Sequence, residues 1–246
     1  MRRVSLIAAV ELLAAAAVGL TFRAHAAGHA RITVYAAASL TDAFPALDPG
    51  ETYSFGGSND LAAQIEQGAP ADVFASANTA LPAQLHAQGL CSKPVVFTRN
   101  ELVVIVPKAN PAHVRRIRDL TRRGVNVVIA AAGVPVGDYT LAVLQQLHLG
   151  AAVLKNVVSR ESDVRGVLAK VALGEADAGF VYMTDAKTAA AHLKEIEVPS
   201  RAEPKVAYGI CVVSGSSRTA TARAYVQRVL SASGQRTLRR YGFLPR

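Results

Sequence analysis

An alternation of apolar, strand-like segments with helix-forming segments runs through residues 31–246 and constrains the fold more than any other feature. The segments predicted as strands are 31–38, 52–57, 72–77, 101–107, 126–133, 154–160, 177–183, 195–199 and 206–213. Helices are predicted to begin near Ser39, Ser58, Thr79, Asp138, Asp163, Thr184, Ser216 and Ser233. Several strand segments are apolar on both faces, which is typical of parallel strands covered by helices. The alternation therefore predicts an α/β fold.

Two of the predicted strands, 101–107 and 206–213, are long and apolar and lie far apart in the chain. If both run between two lobes, the chain leaves the first lobe at one strand and returns to it at the other. We therefore predict a discontinuous first lobe, residues 27–103 plus 211–246. The second lobe is predicted to be the continuous segment 104–210.

The first 26 residues have the pattern of a secretory signal peptide. Arg2 and Arg3 precede an apolar run, and the small residues Ala24 and Ala26 follow it. The alternative is a membrane anchor, which is disfavoured because the run is short and contains Glu11. We predict cleavage near Ala26 and a periplasmic protein that is not inserted in the membrane.

The net charge of +9 does not indicate a nucleic-acid-binding protein. Basic residues cluster at 115–123 and 236–246, but no aromatic residues alternate with them as stacking platforms. The clusters are interpreted as solvated faces, and a generally positive field could also help to collect a small anion.

Cys91 and Cys211 are the only cysteines in the sequence. In an oxidising compartment an isolated pair suggests one disulfide, here between the first third of the chain and its last segment. The alternative is a pair of buried free thiols.

The sequence contains no motif that supports an enzyme. It has no G-x-S-x-G elbow and no G-x-x-x-x-G-K-[ST] phosphate loop. His86, His113, His148 and His192 lack partners at metal-ligand spacing. A secreted hydrolase that uses Ser39 or Ser58 is the alternative, but no recognisable motif supplies its base.

Short polar residues recur where a predicted strand meets a predicted helix. Ser39 and Ser58 lie at two such junctions, and Asp138 and Asp163 lie at two others. Each alone is explained as a helix cap. Together they favour an anion site, because in open α/β sheets ligands bind where the carboxyl ends of strands and the helix N-termini meet.

Small residues surround both serines. Ala36, Ala37 and Ala38 precede Ser39, and two glycines, at 56 and 57, precede Ser58. Because glycine has no side chain, a ligand is expected to approach the backbone there. A site of N–H and O–H donors without lysine or arginine would hold a fully ionised oxyanion. It would reject protonated species because it offers no acceptor for their O–H group.

Six segments, in order along nearly the whole chain after residue 30, resemble the periplasmic molybdate-binding proteins of bacterial ABC importers. They are VYAAASLTDAF, SFGGSNDLAAQIEQGAPADVFASAN, NELVVIVPKAN, GVPVGDYTLAVLQQL, ESDVRGVLAKVALGEADAGFVYMTDA and RYGF. The resemblance implies a type II binding protein of two hinged lobes. Each lobe would be a mostly parallel sheet flanked by helices, with two crossing strands as the hinge and the oxyanion in the cleft.

The resemblance also implies the groups that hold the oxyanion. Ser39 and Ser58 would donate through hydroxyl and backbone N–H, Val136 and Val164 through backbone N–H, and Tyr182 through its hydroxyl. Molybdenum would enter only as molybdate, with no other metal and no cofactor. The implied partner is the membrane permease of an ABC importer, and the protein is expected to be a monomer. Tungstate is an expected second ligand, and another oxyanion such as sulfate is the alternative.

The segment between Phe44 and Tyr53 is shorter than is usual in that family. Pro45 and Pro49 are expected to end the helix after Ser39 early. We expect the cleft to be intact and the outer face of the first lobe, including its fit to the importer, to be altered.

Overall fold

The computed structural model describes residues 31–246. The predicted signal peptide, residues 1–26, lies outside the described residues. Within residues 31–246, no helix is both long and apolar enough to cross a membrane.

The described chain alternates strands and helices as predicted. Its strands are β1 Thr33–Ala37, β2 Thr52–Gly56, β3 Val73–Ser76, β4 Val95–Asn100, β5 Leu102–Pro107, β6 Val127–Ala130, β7 Val157–Glu161, β8 Ala178–Tyr182, β9 Leu193–Glu197 and β10 Val206–Val212. Its α-helices are α1 Ala43–Leu47, α2 Ser58–Glu66, α3 Ala80–Ala87, α4 Pro135–Gln146, α5 Gly150–Leu154, α6 Val164–Ala172, α7 Met183–Thr188, α8 Thr219–Leu230 and α9 Ala232–Arg240. Short 3-10 turns lie at Ala38–Leu40, Ile117–Thr121 and Ser200–Ala202.

The strands form two five-stranded sheets, which confirms the predicted two-lobed α/β architecture. The first sheet has the order β2-β1-β3-β10-β4, and the second has the order β7-β6-β8-β5-β9. In each sheet three neighbouring strands are parallel and the other two join antiparallel. Strands β3, β6 and β8 are buried at every residue because helices cover both faces, so they are mostly apolar, with Ser76 and Tyr182 as polar residues at strand ends.

The chain crosses between the sheets earlier than the predicted boundaries at 103/104 and 210/211. β5 belongs wholly to the second sheet, and β10 belongs wholly to the first. The two crossings are therefore the single residue Glu101 and the segment 198–205. The two long apolar strands do not run between the lobes as predicted; each is a buried strand of one sheet, which explains why it is apolar throughout.

The shortened segment after Ser39 forms a short helix, as predicted, but Pro45 does not end it. Pro45 is the third residue of α1, where proline is tolerated because the first-turn N–H groups have no partner within the helix, and α1 continues to Leu47. The Tyr53 hydroxyl donates to the carbonyls of Phe44, at 3.1 Å, and Asp48, at 2.6 Å, and so holds the loop against β2. Phe44 packs against the rings of Phe97 and Tyr225, which lets this short helix still bury its aromatic side chain.

Cys91 and Cys211 are buried free thiols in the structure, so the predicted disulfide is not formed there. The Cys91 thiol donates to the carbonyls of Pro82, at 3.4 Å, and Ser92, at 3.3 Å, and both cysteines belong to one buried apolar cluster. Cys91 pairs with Val213 next to the end of β10, two positions from Cys211. The fold thus brings together two residues from distant parts of the chain, and the disulfide stays a prediction.

Candidate functional site

A small cavity lies between the two lobes. It is lined by the residues Ala37, Ala38, Ser39, Gly56, Gly57, Ser58, Ala77, Val134, Pro135, Val136, Asp163, Val164 and Tyr182. The structure thus brings together all five positions singled out from the sequence: Ser39, Ser58, Val136, Val164 and Tyr182.

Helix N-termini from both lobes converge on this cavity. The first lobe contributes the 3-10 turn Ala38–Leu40 and α2, and the second contributes α4 and α6. The N–H groups in a helix's first turn have no carbonyl partner within the helix, and the helix dipole adds partial positive charge there. Four such ends around one cavity form a site suited to a small anion.

Neither serine caps a helix, so the capping explanation of the sequence pattern is wrong for both. Ala37 and Gly57 occupy the N-cap positions, and neither helix start has a side-chain capping bond. The Ser58 hydroxyl oxygen accepts from the backbone N–H of Ala77 at 3.1 Å. Because that oxygen is already an acceptor, its own hydrogen is available to a group in the cavity.

Ser39 has a side-chain partner that the sequence did not indicate. Its hydroxyl lies 2.9 Å from the hydroxyl of Tyr208 in β10, and both residues are buried. The two are separated by 169 positions, and Tyr208 lies in a segment whose apolar pattern predicts only a strand.

Tyr182 ends β8 and lines the cavity. The residue is 1% exposed, and its hydroxyl has no hydrogen-bond partner within the described chain. Burial, reinforced by the neighbouring tyrosines and carboxylates, raises the pKa of this phenol well above its usual value. Tyr182 therefore stays protonated and carries a donor that lacks an acceptor, which points to a missing ligand.

Val136 and Val164 offer backbone donors from the first turns of α4 and α6. α4 begins at Pro135 and not near Asp138 as predicted, because proline suits the first helical position. Val136 therefore lies in the first turn. Asp163 caps α6 through the N–H of Gly166 at 3.0 Å, as expected. The Asp138 carboxylate instead accepts from Gly133 N–H at 2.8 Å, in the loop before α4.

The site is rich in donors and poor in charge. Among the described residues that line it, none is lysine, arginine or histidine. Residues 31–246 also contain no group of three or more His, Cys, Asp or Glu side chains that could hold a metal ion. The chemistry available is hydrogen bonding to an anion that brings its own negative charge.

The lobes meet closely at Gly57. A Cβ atom on this residue would lie closer to the Ser162 carbonyl oxygen than the 3.0 Å that Cβ atoms keep. The glycine is therefore required by contact with the backbone of the other lobe. Gly57 also lines the cavity, so this contact adds a second requirement to the one inferred from the sequence, which is room for a ligand to approach the backbone.

An ion-pair network links the lobes beside the cavity. Arg165 of α6 contacts Asp42 of the first lobe and, through Nε, lies 3.0 Å from the carboxylate of Asp185 in α7. Asp185 is completely buried, and this burial raises its pKa to about 7 although Arg165 opposes the shift. No local pattern in the sequence indicates this network, because its members lie far apart in the chain.

The raised pKa of Asp185 predicts a pH dependence of stability. Between about pH 4 and about pH 7 the folded protein holds a proton on Asp185 that the unfolded chain has lost, so stability falls as the pH rises. We expect urea denaturation to show a loss of up to about 4 kcal/mol from this group across that range. Asp185→Asn should remove this component, whereas Glu175→Gln, at an exposed carboxylate, should retain it. An unchanged pH profile in Asp185→Asn would contradict the assignment.

The sequence model of the bacterial extracellular solute-binding protein family matches residues 32–244. A molybdate-binding protein of Mycobacterium tuberculosis is 38% identical over 226 residues, which cover 88% of this chain and 85% of that protein. A molybdate-binding protein of Escherichia coli is 32% identical, with 95% of this chain and 97% of that protein covered. These relatives are solute-binding proteins, which confirms the expectation of a binding protein and not an enzyme.

Solved structures share the fold. The periplasmic molybdate-binding protein of Azotobacter vinelandii superposes with a TM-score of 0.77 at 22% identity, over 88% of this chain and 100% of that one. The sulfate-binding protein SubI of Mycobacterium tuberculosis gives a TM-score of 0.74 at 19% identity, over 87% and 86%. Sequence and fold agree that this chain belongs to the bacterial extracellular solute-binding protein family, among the relatives of the molybdate-binding proteins.

Proposed function

We propose that this protein captures molybdate in the cavity between its lobes and delivers it to the permease of an ABC importer. The observation that carries the proposal is the buried Tyr182 hydroxyl, which has no partner among the described residues and belongs to a residue that lines the cavity together with other donors. The relatives named as molybdate-binding proteins support the choice of ligand.

A dianion suits a site of this composition. Two hydroxyls and the first-turn N–H groups of the first lobe face a tyrosine hydroxyl and the N–H groups of α4 and α6 from the second. Hydrogen bonds from neutral donors to a charged acceptor are stronger than those between neutral groups. The bound anion would bridge the lobes and favour their closed arrangement, because only that arrangement provides both sets of donors.

The proposal also includes the protein's processing, location and second ligand. Residues 1–26 would be removed near Ala26, and the remainder would act in the periplasm as a monomer without a cofactor. Tungstate, which is nearly the same in size and charge as molybdate, would bind the same donors.

Isothermal titration calorimetry of the purified protein with molybdate, tungstate, sulfate and phosphate tests the proposal. We expect tight binding of molybdate and tungstate and much weaker binding of the other two. Preferential binding of sulfate would replace the proposed ligand, and the absence of binding to all four would overturn the proposal.

Tyr182→Phe removes the hydroxyl that lacks a partner. We expect molybdate affinity to fall roughly 10- to 100-fold, because a hydrogen bond to a charged ligand is lost. Without ligand the variant should be as stable as the wild type or slightly more stable, since no hydrogen bond of the described chain is broken.

Tyr225→Phe is the matched control for Tyr182→Phe. Tyr225 is also buried, but its hydroxyl bonds to Tyr53 in the first lobe, away from the cavity. We expect this control to lose some stability and to bind molybdate normally. The opposite pattern, with affinity retained in Tyr182→Phe, would exclude the hydroxyl as a ligand group.

A further inference from the structure

A chain of buried hydrogen bonds runs away from the cavity behind Ser39. The Ser39 hydroxyl lies 2.9 Å from Tyr208 Oη, and Asn100 Nδ2 lies 3.3 Å from the same Oη. Asn100 Nδ2 also donates to the Thr184 hydroxyl in the second lobe at 2.9 Å. Ser39, Asn100 and Thr184 are each 4% exposed and Tyr208 is 0% exposed, so water does not compete for these bonds.

The direction in which these hydrogen bonds are donated is determined at Asn100, the end of the hydrogen-bond chain that lies away from Ser39. The backbone N–H of Glu101 donates to Asn100 Oδ1 at 3.0 Å, which identifies that atom as the amide oxygen. The amide nitrogen, which can only donate, therefore faces Tyr208 and Thr184.

The direction of donation at Asn100 also determines the direction at Ser39. Tyr208 Oη accepts from Asn100, so the single hydrogen of the Tyr208 hydroxyl points to the Ser39 oxygen, its other hydrogen-bond partner among the described residues. The opposite arrangement would leave a buried phenol hydrogen without an acceptor. Burial raises the pKa of Tyr208 well above its usual value, so the phenol keeps the proton that this direction requires.

Ser39 is thereby left with its own hydrogen for the cavity. Ser58 is in the same state, since its oxygen accepts from the Ala77 N–H. The two hydroxyls therefore receive a hydrogen bond from the protein and have one left to give. In Ser58 the backbone imposes this state, whereas in Ser39 two side chains impose it and can be changed.

We infer that Asn100 and Tyr208 are positioning residues that hold the Ser39 hydroxyl as a donor and so make the site select fully deprotonated oxyanions over those that keep a proton. This inference rests on the proposed function. A serine free to turn could accept the O–H of a protonated anion while its own hydrogen went to Tyr208. With Tyr208 donating, a Ser39 that turned its hydrogen away from the cavity to accept that O–H would leave the hydrogen without an acceptor among the described residues, which carries a free-energy cost.

Asn100→Asp reverses the chain with little change in shape. Its carboxylate would still accept from Glu101 N–H, and it would now accept from the hydroxyls of Thr184 and Tyr208. Tyr208 Oη would then accept from Ser39, whose lone pairs would face the cavity. We expect molybdate affinity to fall roughly 10- to 100-fold, with a smaller loss for hydrogen phosphate.

The added carboxylate also repels an anion, so the effect is measured in two backgrounds. Tyr208→Phe cuts the chain and leaves only the charge effect of Asn100→Asp. We expect calorimetry to show a clearly larger loss of molybdate affinity from Asn100→Asp in the wild type than in Tyr208→Phe. Equal losses in the two backgrounds would overturn the inference.

Tyr208→Phe alone gives a second readout if Asn100→Asp does not fold. Sulfate and hydrogen phosphate have similar size and equal charge at a suitable pH and differ by one hydrogen. We expect the affinity ratio of sulfate to hydrogen phosphate to fall in Tyr208→Phe, whereas a merely structural role would lower both affinities equally and contradict the inference. Wild-type titrations separate the two proposals. If the wild type prefers another oxyanion, the same two-background comparison is made with that ion; if it binds none, both proposals fail.

Discussion

Ser39→Ala combined with Ser58→Ala is expected to reduce molybdate affinity by roughly 100- to 10,000-fold, since two hydrogen bonds to a charged ligand are removed. Both hydroxyls line the cavity, and each oxygen has a protein partner that leaves its hydrogen for the ligand. Calorimetry on the double variant and on each single variant measures the loss.

The double variant also loses some stability, because Ala77 N–H and the Tyr208 hydroxyl are left without their serine partners. Thr98→Ala is a matched control: Thr98 is buried in the first lobe, and its hydroxyl donates to the Leu244 carbonyl at 2.8 Å, outside the cavity. The control should lose about 1–3 kcal/mol of stability and no affinity. Normal molybdate binding by the double variant would show that the serines do not contact the ligand.

Gly57→Ala is expected to weaken molybdate binding by at least roughly 100-fold although it removes no donor. Its Cβ would overlap the Ser162 carbonyl oxygen of the other lobe, so the observed approach of the lobes could not form. A ligand that depends on donors from both lobes then loses the contacts of one lobe. Stability without ligand should change little if the lobes separate, because within the first lobe only the Asn59 side chain, whose Oδ1 would lie 2.8 Å from the Cβ, has to shift.

Gly215→Ala is the control in the same lobe. Gly215 is exposed and does not line the cavity, and a Cβ there would meet no atom within 4 Å, so we expect affinity near that of the wild type. Calorimetry on the two variants gives the comparison. Equal affinities in Gly57→Ala and Gly215→Ala would mean that the close approach at Gly57 is not needed for binding.

The sequence predicted the core strands well because their residues are buried and therefore mostly apolar. It missed β4, an edge strand in which Val95 and Val96 are 40% and 37% exposed, so that the segment has neither a fully apolar nor an alternating pattern. It also missed the five-residue helix α5, which is too short to show a clear period.

The five candidate positions could be named because they lie in local segments that resemble those of the molybdate-binding family. The residues that hold these side chains in place could not be predicted from local motifs. Tyr208 reaches Ser39 across 169 positions, and Asn100 meets Thr184 across 84. The first contact depends on the strand order within one sheet and the second on how the two lobes pack, and no local sequence pattern indicates either. Gly57 was noted for the right reason, its missing side chain, but the neighbour that requires this is the backbone of the other lobe.

The anomalous scattering of molybdenum in a crystal grown with molybdate tests the location of the ligand most directly. We predict one strong peak between the lobes. The oxygens bound to that molybdenum should lie within hydrogen-bonding distance of the Ser39, Ser58 and Tyr182 hydroxyls and of the backbone N–H groups of Val136 and Val164. A peak elsewhere on the protein, with this cavity holding only water, would contradict the proposed site.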